Sequence, residues 1–245
     1  MRVLAPAATN ERADLLILIS TTPRTLPIEE ATAFANQFVY DHQPASRWHG
    51  VLMDKCAQDL LAYQEIIFAL RPDIIVETGT WCGGSALFFA EMCELAGNGQ
   101  VLSIDREPLG EYDPREGRYV RGNHGIDLPR HPRLYYLLGD TAAPSTIKVI
   151  HRWAADQKGM VVLDSDHHKP HVLAELDAYA GLVAPGHFLI VEDTNINGHP
   201  VRLDFGDGPW EALEVWLPHN PSFEVDTLAQ PCITSAPNGY LRRIV

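Results

Sequence analysis

From residue 73 onward, short β-branched apolar runs alternate with longer stretches whose apolar residues recur at helical spacing. The runs are DIIVETG (73–79), QVLSID (100–105), RLYYLLGD (133–140), MVVLDSD (160–166) and GHFLIVED (186–193). Runs that are apolar at successive positions predict strands covered on both faces. GSALFFAEMCELAG (84–97), PSTIKVIHRWAAD (144–156) and PHVLAELDAYAGLV (170–183) predict the intervening helices. Together they predict an α/β fold with a mostly parallel sheet and helices on both faces. Upstream, KCAQDLLAYQEIIFALRP (55–72) predicts a helix closed by Arg71-Pro72, and IEEATAFANQFVYDH (28–42) a second one. The rest of the first 45 residues is irregular, punctuated by Pro23, Pro27 and Pro44. Residues 106–132 read as a loop rich in Pro, Gly and charge. At the other end DGPWEALEVWL (207–217) predicts a helix, and SFEVDT (222–227) and NGYLRRIV (238–245) two strands, an antiparallel pair at one edge. The expected division is an N-terminal cap, 1–54, and a single α/β domain, 55–245, with seven strands in all.

Composition narrows the partners more than the fold. The 245 residues are 46% hydrophobic and 21% charged, enough for one large core. Nineteen Lys and Arg against 32 Asp and Glu leave a formal charge of −13, which repels nucleic acid phosphates. Cys56, Cys82, Cys93 and Cys232 show no zinc-ligand spacing and read as buried small apolar residues in a reducing compartment. The apolar run Leu15 to Ile19 is too short for a signal or membrane segment and follows Glu11 and Asp14, so a soluble, cytoplasmic chain with no membrane span is expected.

The first candidate site is the turn ETGTWCGGS, which sets Gly79, Gly83 and Gly84 between a strand and a helix. Glycines let a backbone approach a ligand, and a helix N-terminus offers free N–H groups to an anion. Asp105, ending the next strand, is placed to accept both hydroxyls of a ribose. The spacing G-x-x-x-G-G is not the dinucleotide fingerprint, and no Walker lysine follows. A nucleoside carrying a carboxylate, such as S-adenosylmethionine, fits better than a pyrophosphate.

The second candidate site lies where the fourth and fifth strands end in acid: Asp164-Ser165-Asp166-His167-His168-Lys169 and Glu192-Asp193. Ligands of a parallel sheet bind beyond the carboxyl ends of its strands. Asp164, Glu192 and Asp193 are expected to converge there, and three neighbouring carboxylates call for a cation. All-oxygen ligation suits Mg²⁺ first, then Mn²⁺ or Ca²⁺. His167, three residues past Asp164, is a candidate base, with Asp166 and Lys169 as rivals. Asp166 has the alternative of capping the next helix, and His168 and His171 read as ordinary cap or surface residues. The turn-rich TNINGHPV (194–201) is placed to line the pocket mouth, and Trp48 and Trp81 either stack on a sugar or pack in the core.

YQEIIFALRPDIIVETGTWCGGSALFFA, LDSDHHKPHVLAELDAYAGLVAPGHFLIVEDTNINGHPV and the C-terminal GPWEALEVWL and TSAPNGYLRR resemble the family of cephalosporin hydroxylases and mycobacterial rhamnosyl O-methyltransferases, over roughly Trp48 to Arg243. The resemblance implies a Rossmann-like class I methyltransferase fold, S-adenosylmethionine as donor and a divalent metal. It implies Asp164, Glu192 and Asp193 as metal ligands, His167 as base with Asp166 as second choice, and Glu77, Gly79, Gly83 and Ser85 in the donor turn. Asp105 would hold the ribose, and Asp140 would lie near the adenine. The implied reaction is O-methylation of a small-molecule or glycosylated acceptor with vicinal hydroxyls, by a chain that forms a homo-oligomer. A nicotinamide-dependent oxidoreductase and a catalytically silent binding module are the alternatives.

Overall fold

The structure, a computed structural model, describes residues 27–106, 112–113, 118–119 and 128–245. Elements follow in the order α1 (Ile28–His42), β1 (Arg47–Trp48), β2 (Val51–Leu52), α2 (Ala57–Leu70), β3 (Ile74–Thr78), α3 (Gly84–Ala96) and β4 (Gln100–Asp105). Next come β5 (Tyr112–Asp113), β6 (Arg118–Tyr119), β7 (Leu134–Leu138), α4 (Pro144–Ala154), β8 (Gly159–Leu163) and α5 (Lys169–Tyr179). The chain ends with β9 (Phe188–Val191), α6 (Pro209–Trp216), β10 (Phe223–Val225) and β11 (Tyr240–Arg243).

Seven strands form one sheet in the order β10-β11-β9-β8-β3-β4-β7. The five strands read from the apolar runs pair in parallel, and β11 enters antiparallel to both β9 and β10. The expected edge pair is therefore present, with β11 inside the sheet and β10 at its rim. The chain runs outward from β3 to β4 and β7, then returns to β8 on the other side of β3. The gap between β3 and β8 is thus the topological switch point, where an open α/β sheet takes its ligand.

Burial explains why these runs are strands. Every residue of β3, β8 and β9 is buried, so apart from Glu77 and Thr78 at the end of β3 these strands are apolar on both sides. Ile75, Val162 and Ile190 face the cluster built with Tyr63, Ile67 and Phe89 of α2 and α3. Ile74, Val76, Val161, Leu163, Leu189 and Val191 face the opposite cluster, with Ile150, Leu176, Tyr179 and Trp216 of α4, α5 and α6. Each such aliphatic side chain contributes roughly 1.5–3 kcal/mol on burial. This alternation also fixes where the strand ends point. Continued by one residue, it sends Asp164 and Glu192 to the α2 side, the side of Tyr63.

Two expectations need adjusting, and one falls on residues that are not described. Cys232 is exposed, in the irregular segment between β10 and β11, whereas Cys56, Cys82 and Cys93 are buried. The Leu15–Ile19 run lies outside the described residues. The described part of 106–132 includes a short antiparallel pair, Tyr112–Asp113 with Arg118–Tyr119. The sequence also gave no hint of the β1–β2 hairpin, which lies against α3: Trp48 Nε1 donates to Glu91 Oε2 at 2.9 Å. No described helix is long and apolar enough to cross a membrane.

Candidate active site

One cavity of 1010 Å³ opens beyond the carboxyl ends of the parallel strands. Gly79, Asp105, Thr141, Asp164 and Asp193, which follow or end β3, β4, β7, β8 and β9, all line it. So do Asn36, Tyr40 and Gln43 of the α1 region, and Asp54 and Lys55 between β2 and α2. The expected boundary at residue 54 thus falls between two side chains of one cavity.

At one end stands the glycine turn. Thr80, Trp81, Gly84, Ser85 and Arg106 line this end with Gly79 and Asp105. Trp81 N–H donates to Asp105 Oδ2 at 2.9 Å, tying the turn to the end of β4. Glu77 lies fully buried beneath, its Oε2 accepting from the Ser103 hydroxyl at 2.6 Å. Burial pushes its carboxyl up to about 7, against that hydrogen bond. Asp140 sits to the side, its Oδ1 accepting from Ala142 N–H at 2.9 Å and its Oδ2 3.9 Å from Arg106 Nη1. The glycines are needed by the protein itself. A Cβ at Gly79 would meet the Asp164 carbonyl oxygen at 1.9 Å, and one at Gly84 the Leu52 carbonyl oxygen at 2.5 Å. Gly83, the left-handed N-cap of α3, would meet Pro129 at 2.9 Å.

At the other end Asp164 arrives by the parity of β8, and two further side chains join it. Asp164, His167 and Asp193 each offer a ligand atom, all within 4.8 Å of one another. Asp193 has φ 53°, a left-handed backbone for a non-glycine residue, so it leaves the alternation of β9 and turns toward His167. His167 Nε2 lies 3.0 Å from Asp193 Oδ2. Desolvation favours the neutral imidazole, but the Asp193 carboxylate and its hydrogen bond, with Asp164 behind, raise His167 to about 9. The same contact holds Asp193 below the usual carboxylate range, against its own desolvation.

Glu192, the third carboxylate of the expected ligand set, is placed differently. It is 1% exposed, and its Oε1 accepts from Tyr63 OH and, at 2.6 Å, from Lys55 Nζ. Ser235 Oγ lies 3.2 Å from its Oε2 and 3.0 Å from Asp59 Oδ2. Lys55 Nζ also donates to Asp164 Oδ2 at 2.6 Å. Burial works against this ammonium, yet the two carboxylates raise its pKa above the ordinary lysine value. Burial likewise pushes the Asp164 carboxyl up against the pull of Lys55, with Glu192 and Asp193 adding to the push. Desolvation and the Asp193 carboxylate push Asp54 up. Asp59, fully buried, accepts from Thr234 Oγ1, Tyr240 OH and Ser235 N–H, and burial raises it to about 6.

Asp166 is engaged with its neighbour. Its Oδ1 accepts from the backbone N–H of His168 at 3.0 Å and lies 2.6 Å from His168 Nδ1. These bonds lower its pKa despite partial desolvation. His168 itself is the N-cap residue of α5, and His171 Nε2 lies 3.0 Å from Thr141 Oγ1. Of TNINGHPV, Asn195 and Ile196 line the cavity, whereas Asn197 donates to Glu211 at 2.9 Å. Trp81 lines the cavity, and Trp48 packs edge-on against Phe88. Lys55, Tyr63, Asp59, Asp54 and Ser235 were not singled out in the sequence. The readable signal was Asp59 on the buried stripe of α2, with Tyr63, Ile66 and Ile67.

These pKa shifts fix the sign of a pH dependence. Asp59, Glu77 and Asp164 hold their protons more tightly folded than unfolded, so each makes the folded state lose ground as pH rises from about 4 toward 7. His167, raised to about 9, stabilises the fold below about 6.5 and stops doing so as pH rises through 9. Glu211, lowered to about 2, acts oppositely, but in the acid range. In EDTA, the urea midpoint should therefore fall steadily between about pH 5 and 9. A midpoint that rises over that range would contradict the assignment.

The family model Rhamnosyl O-methyltransferase/CmcI matches residues 39–244. The chain belongs to the Rhamnosyl O-methyltransferase/CmcI family. A rhamnosyl O-methyltransferase of Mycobacterium tuberculosis is 35% identical over 200 residues, covering 79% of this chain and 76% of the relative. That of Mycobacterium leprae is 35% identical over 202 residues, covering 80% and 82%. Among solved structures, CmcI with Mg and SAM superposes with a TM-score of 0.58 at 19% identity, over 92% of this chain and 88% of that one. A putative O-methyltransferase from Klebsiella pneumoniae gives 0.52 at 17%, over 96% and 97%. At such identities these structures show a shared fold, the Rossmann-like class I methyltransferase sheet. The family carries the enzyme class, an O-methyltransferase dependent on S-adenosylmethionine, and sets the oxidoreductase alternative aside.

Proposed function

We propose that this enzyme moves a methyl group from S-adenosylmethionine to a hydroxyl of a sugar or other vicinal diol, with Mg²⁺ or a similar divalent ion at the acid cluster. The observation that carries the reading is the single cavity holding the glycine turn and Asp105 at one end and Asp164, His167 and Asp193 at the other. The relatives named rhamnosyl O-methyltransferase support a sugar acceptor.

In this reading Asp105 takes the ribose hydroxyls, Ser85 and the turn of Gly79 and Gly83 hold the donor's amino-acid end, and Glu77 supports the turn from below. Asp140 flanks the adenine, and the described part of the cap, residues 27–54, shapes the acceptor side. The donor set of carboxylates with one imidazole suits a hard divalent cation. Asp164 and Asp193 would hold it, with Glu192 as third ligand. Such an ion supplies positive charge that lowers the pKa of a neighbouring acceptor hydroxyl. With Asp193 committed to a cation, His167 loses the carboxylate that keeps it protonated, and its imidazole becomes the group placed to take the hydroxyl proton. Asp166, engaged with His168, is the second choice. The cavity's further task is alignment of donor and acceptor. The exposed Ile28, Phe34 and Phe38 of α1 support assembly with further copies.

The test is incubation with S-adenosylmethionine and a rhamnosyl glycoside, following S-adenosylhomocysteine and the O-methylated product. Turnover that is lost in EDTA and restored by Mg²⁺ is expected. Donor binding with no turnover on any vicinal diol would favour a silent binding module instead.

A further inference from the structure

Lys55 arrives at the acid cluster on a fixed strap. Between β2 and α2 the chain crosses the cavity wall, and Ser46 Oγ pins it by bonds to Met53 O at 2.7 Å and from Lys55 N–H at 3.1 Å. Gln43 Nε2 donates to Lys55 O at 3.0 Å from the other side. The side chain is 3% exposed, so its charge is almost wholly answered by protein groups. Those groups are Asp164 and Glu192, from the ends of two different strands, each 2.6 Å from Nζ. A lysine so placed does what a cation does between two carboxylates, with one charge instead of two.

We propose that Lys55 is a tethered competitor of the divalent ion. It holds the ends of β8 and β9 together in the metal-free protein and must share or release Asp164 when the ion binds. The inference rests on the metal-dependent reading above. It follows from charge alone. Buried carboxylates left without a counter-ion repel one another, and an ammonium already at contact distance repels an arriving divalent cation and holds one oxygen of Asp164 and one of Glu192. The same residue therefore protects the empty site and weakens the filled one.

Mn²⁺ titration of the full chain, read by the electron paramagnetic resonance of the free ion, tests this on wild type, Lys55→Met and Lys55→Gln. Thermal unfolding is run in parallel with EDTA and with Mn²⁺. Loss of the ammonium should tighten Mn²⁺ binding by roughly tenfold or more, on the Coulombic scale of a contact charge pair. It should also lower Tm in EDTA and enlarge the rise in Tm that Mn²⁺ produces. A lysine that only supports the fold would lower Tm in EDTA and leave both metal readouts unchanged, overturning the proposal. Weaker Mn²⁺ binding in the variants would overturn it too, since Lys55 would then be arranging ligands for the ion. Lys55→Gln keeps a hydrogen-bond donor for the carboxylates, so its isotherm decides if Lys55→Met does not fold. Absence of Mn²⁺ binding in all three proteins would overturn both this inference and the metal reading beneath it.

Discussion

Asp164→Ala is expected to lower methyl transfer by about 10³-fold or more, several kcal/mol of lost transition-state stabilisation, while donor affinity changes by less than about threefold. Two features of Asp164 lead to this asymmetry. Its carboxylate belongs to the group with His167 and Asp193, where charge on the acceptor oxygen must be managed. The turn lining the donor end is instead fixed by contacts that do not involve the Asp164 side chain, such as Trp81 N–H to Asp105 Oδ2, and alanine at 164 leaves them in place. Stability should change far less, because two effects oppose: alanine ends the Lys55 bridge between the ends of β8 and β9 but also removes a buried carboxyl. Burial and the neighbouring Glu192 and Asp193 already push the Asp164 carboxyl up, so the folded protein carries a cost for ionising it. Removing it leaves Lys55 paired with Glu192. Catalytic acids held at such a cost are the usual place where activity and stability trade against each other. The check is steady-state kinetics beside calorimetric titration of S-adenosylmethionine and urea unfolding on the same preparation. A loss of less than about tenfold in turnover would remove Asp164 from the catalytic machinery.

Legibility of the molecule in its sequence followed the range of the interactions involved. The five parallel strands were readable because burial on both faces leaves an apolar run. The acids that close β8 and β9 stood out because they end such runs abruptly. Even their common direction was implicit, since Asp164 and Glu192 continue the parity of Val162 and Ile190. What the pattern could not carry was the partner of those acids. Lys55 meets Asp164 across 109 residues and Glu192 across 137, from a position just ahead of the helix, which begins at Ala57, where helical spacing says nothing of its partners. Ser235, in an irregular stretch before β11, was hidden for the same reason. The hairpin of β1 and β2 has strands of two residues each, too short to show alternation. The glycine turn shows the opposite limit. Its pattern was read as room for a ligand, and the missing side chains also make room for the Asp164 and Leu52 carbonyl groups. Composition and spacing record that a side chain must be absent, not which atom requires its absence.

That distinction sets the second large effect. Gly79→Ala is expected to destabilise the protein by about 2–5 kcal/mol, the sum of left-handed backbone strain and overpacking. Gly79 has φ +90°, which a side chain disfavours, and its added Cβ would sit 1.9 Å from Asp164 O and 2.6 Å from Asp164 C. Both are backbone atoms, so no rotamer change relieves the clash. The strands must part instead. Gly79 N–H donates to Ile104 O at 2.7 Å and Asp164 N–H to Thr78 O at 3.0 Å, which locks the end of β3 to β4 on one side and to β8 on the other. Moving β8 away carries Asp164 with it, from Lys55 and from His167 and Asp193. The variant should therefore lose activity even where it still folds, as in the cold or with excess donor. For a domain whose total stability is typically 5–15 kcal/mol, such a loss is a large shift in the urea midpoint at unchanged slope. A cost below about 1 kcal/mol would mean that β3 and β8 do not approach this closely.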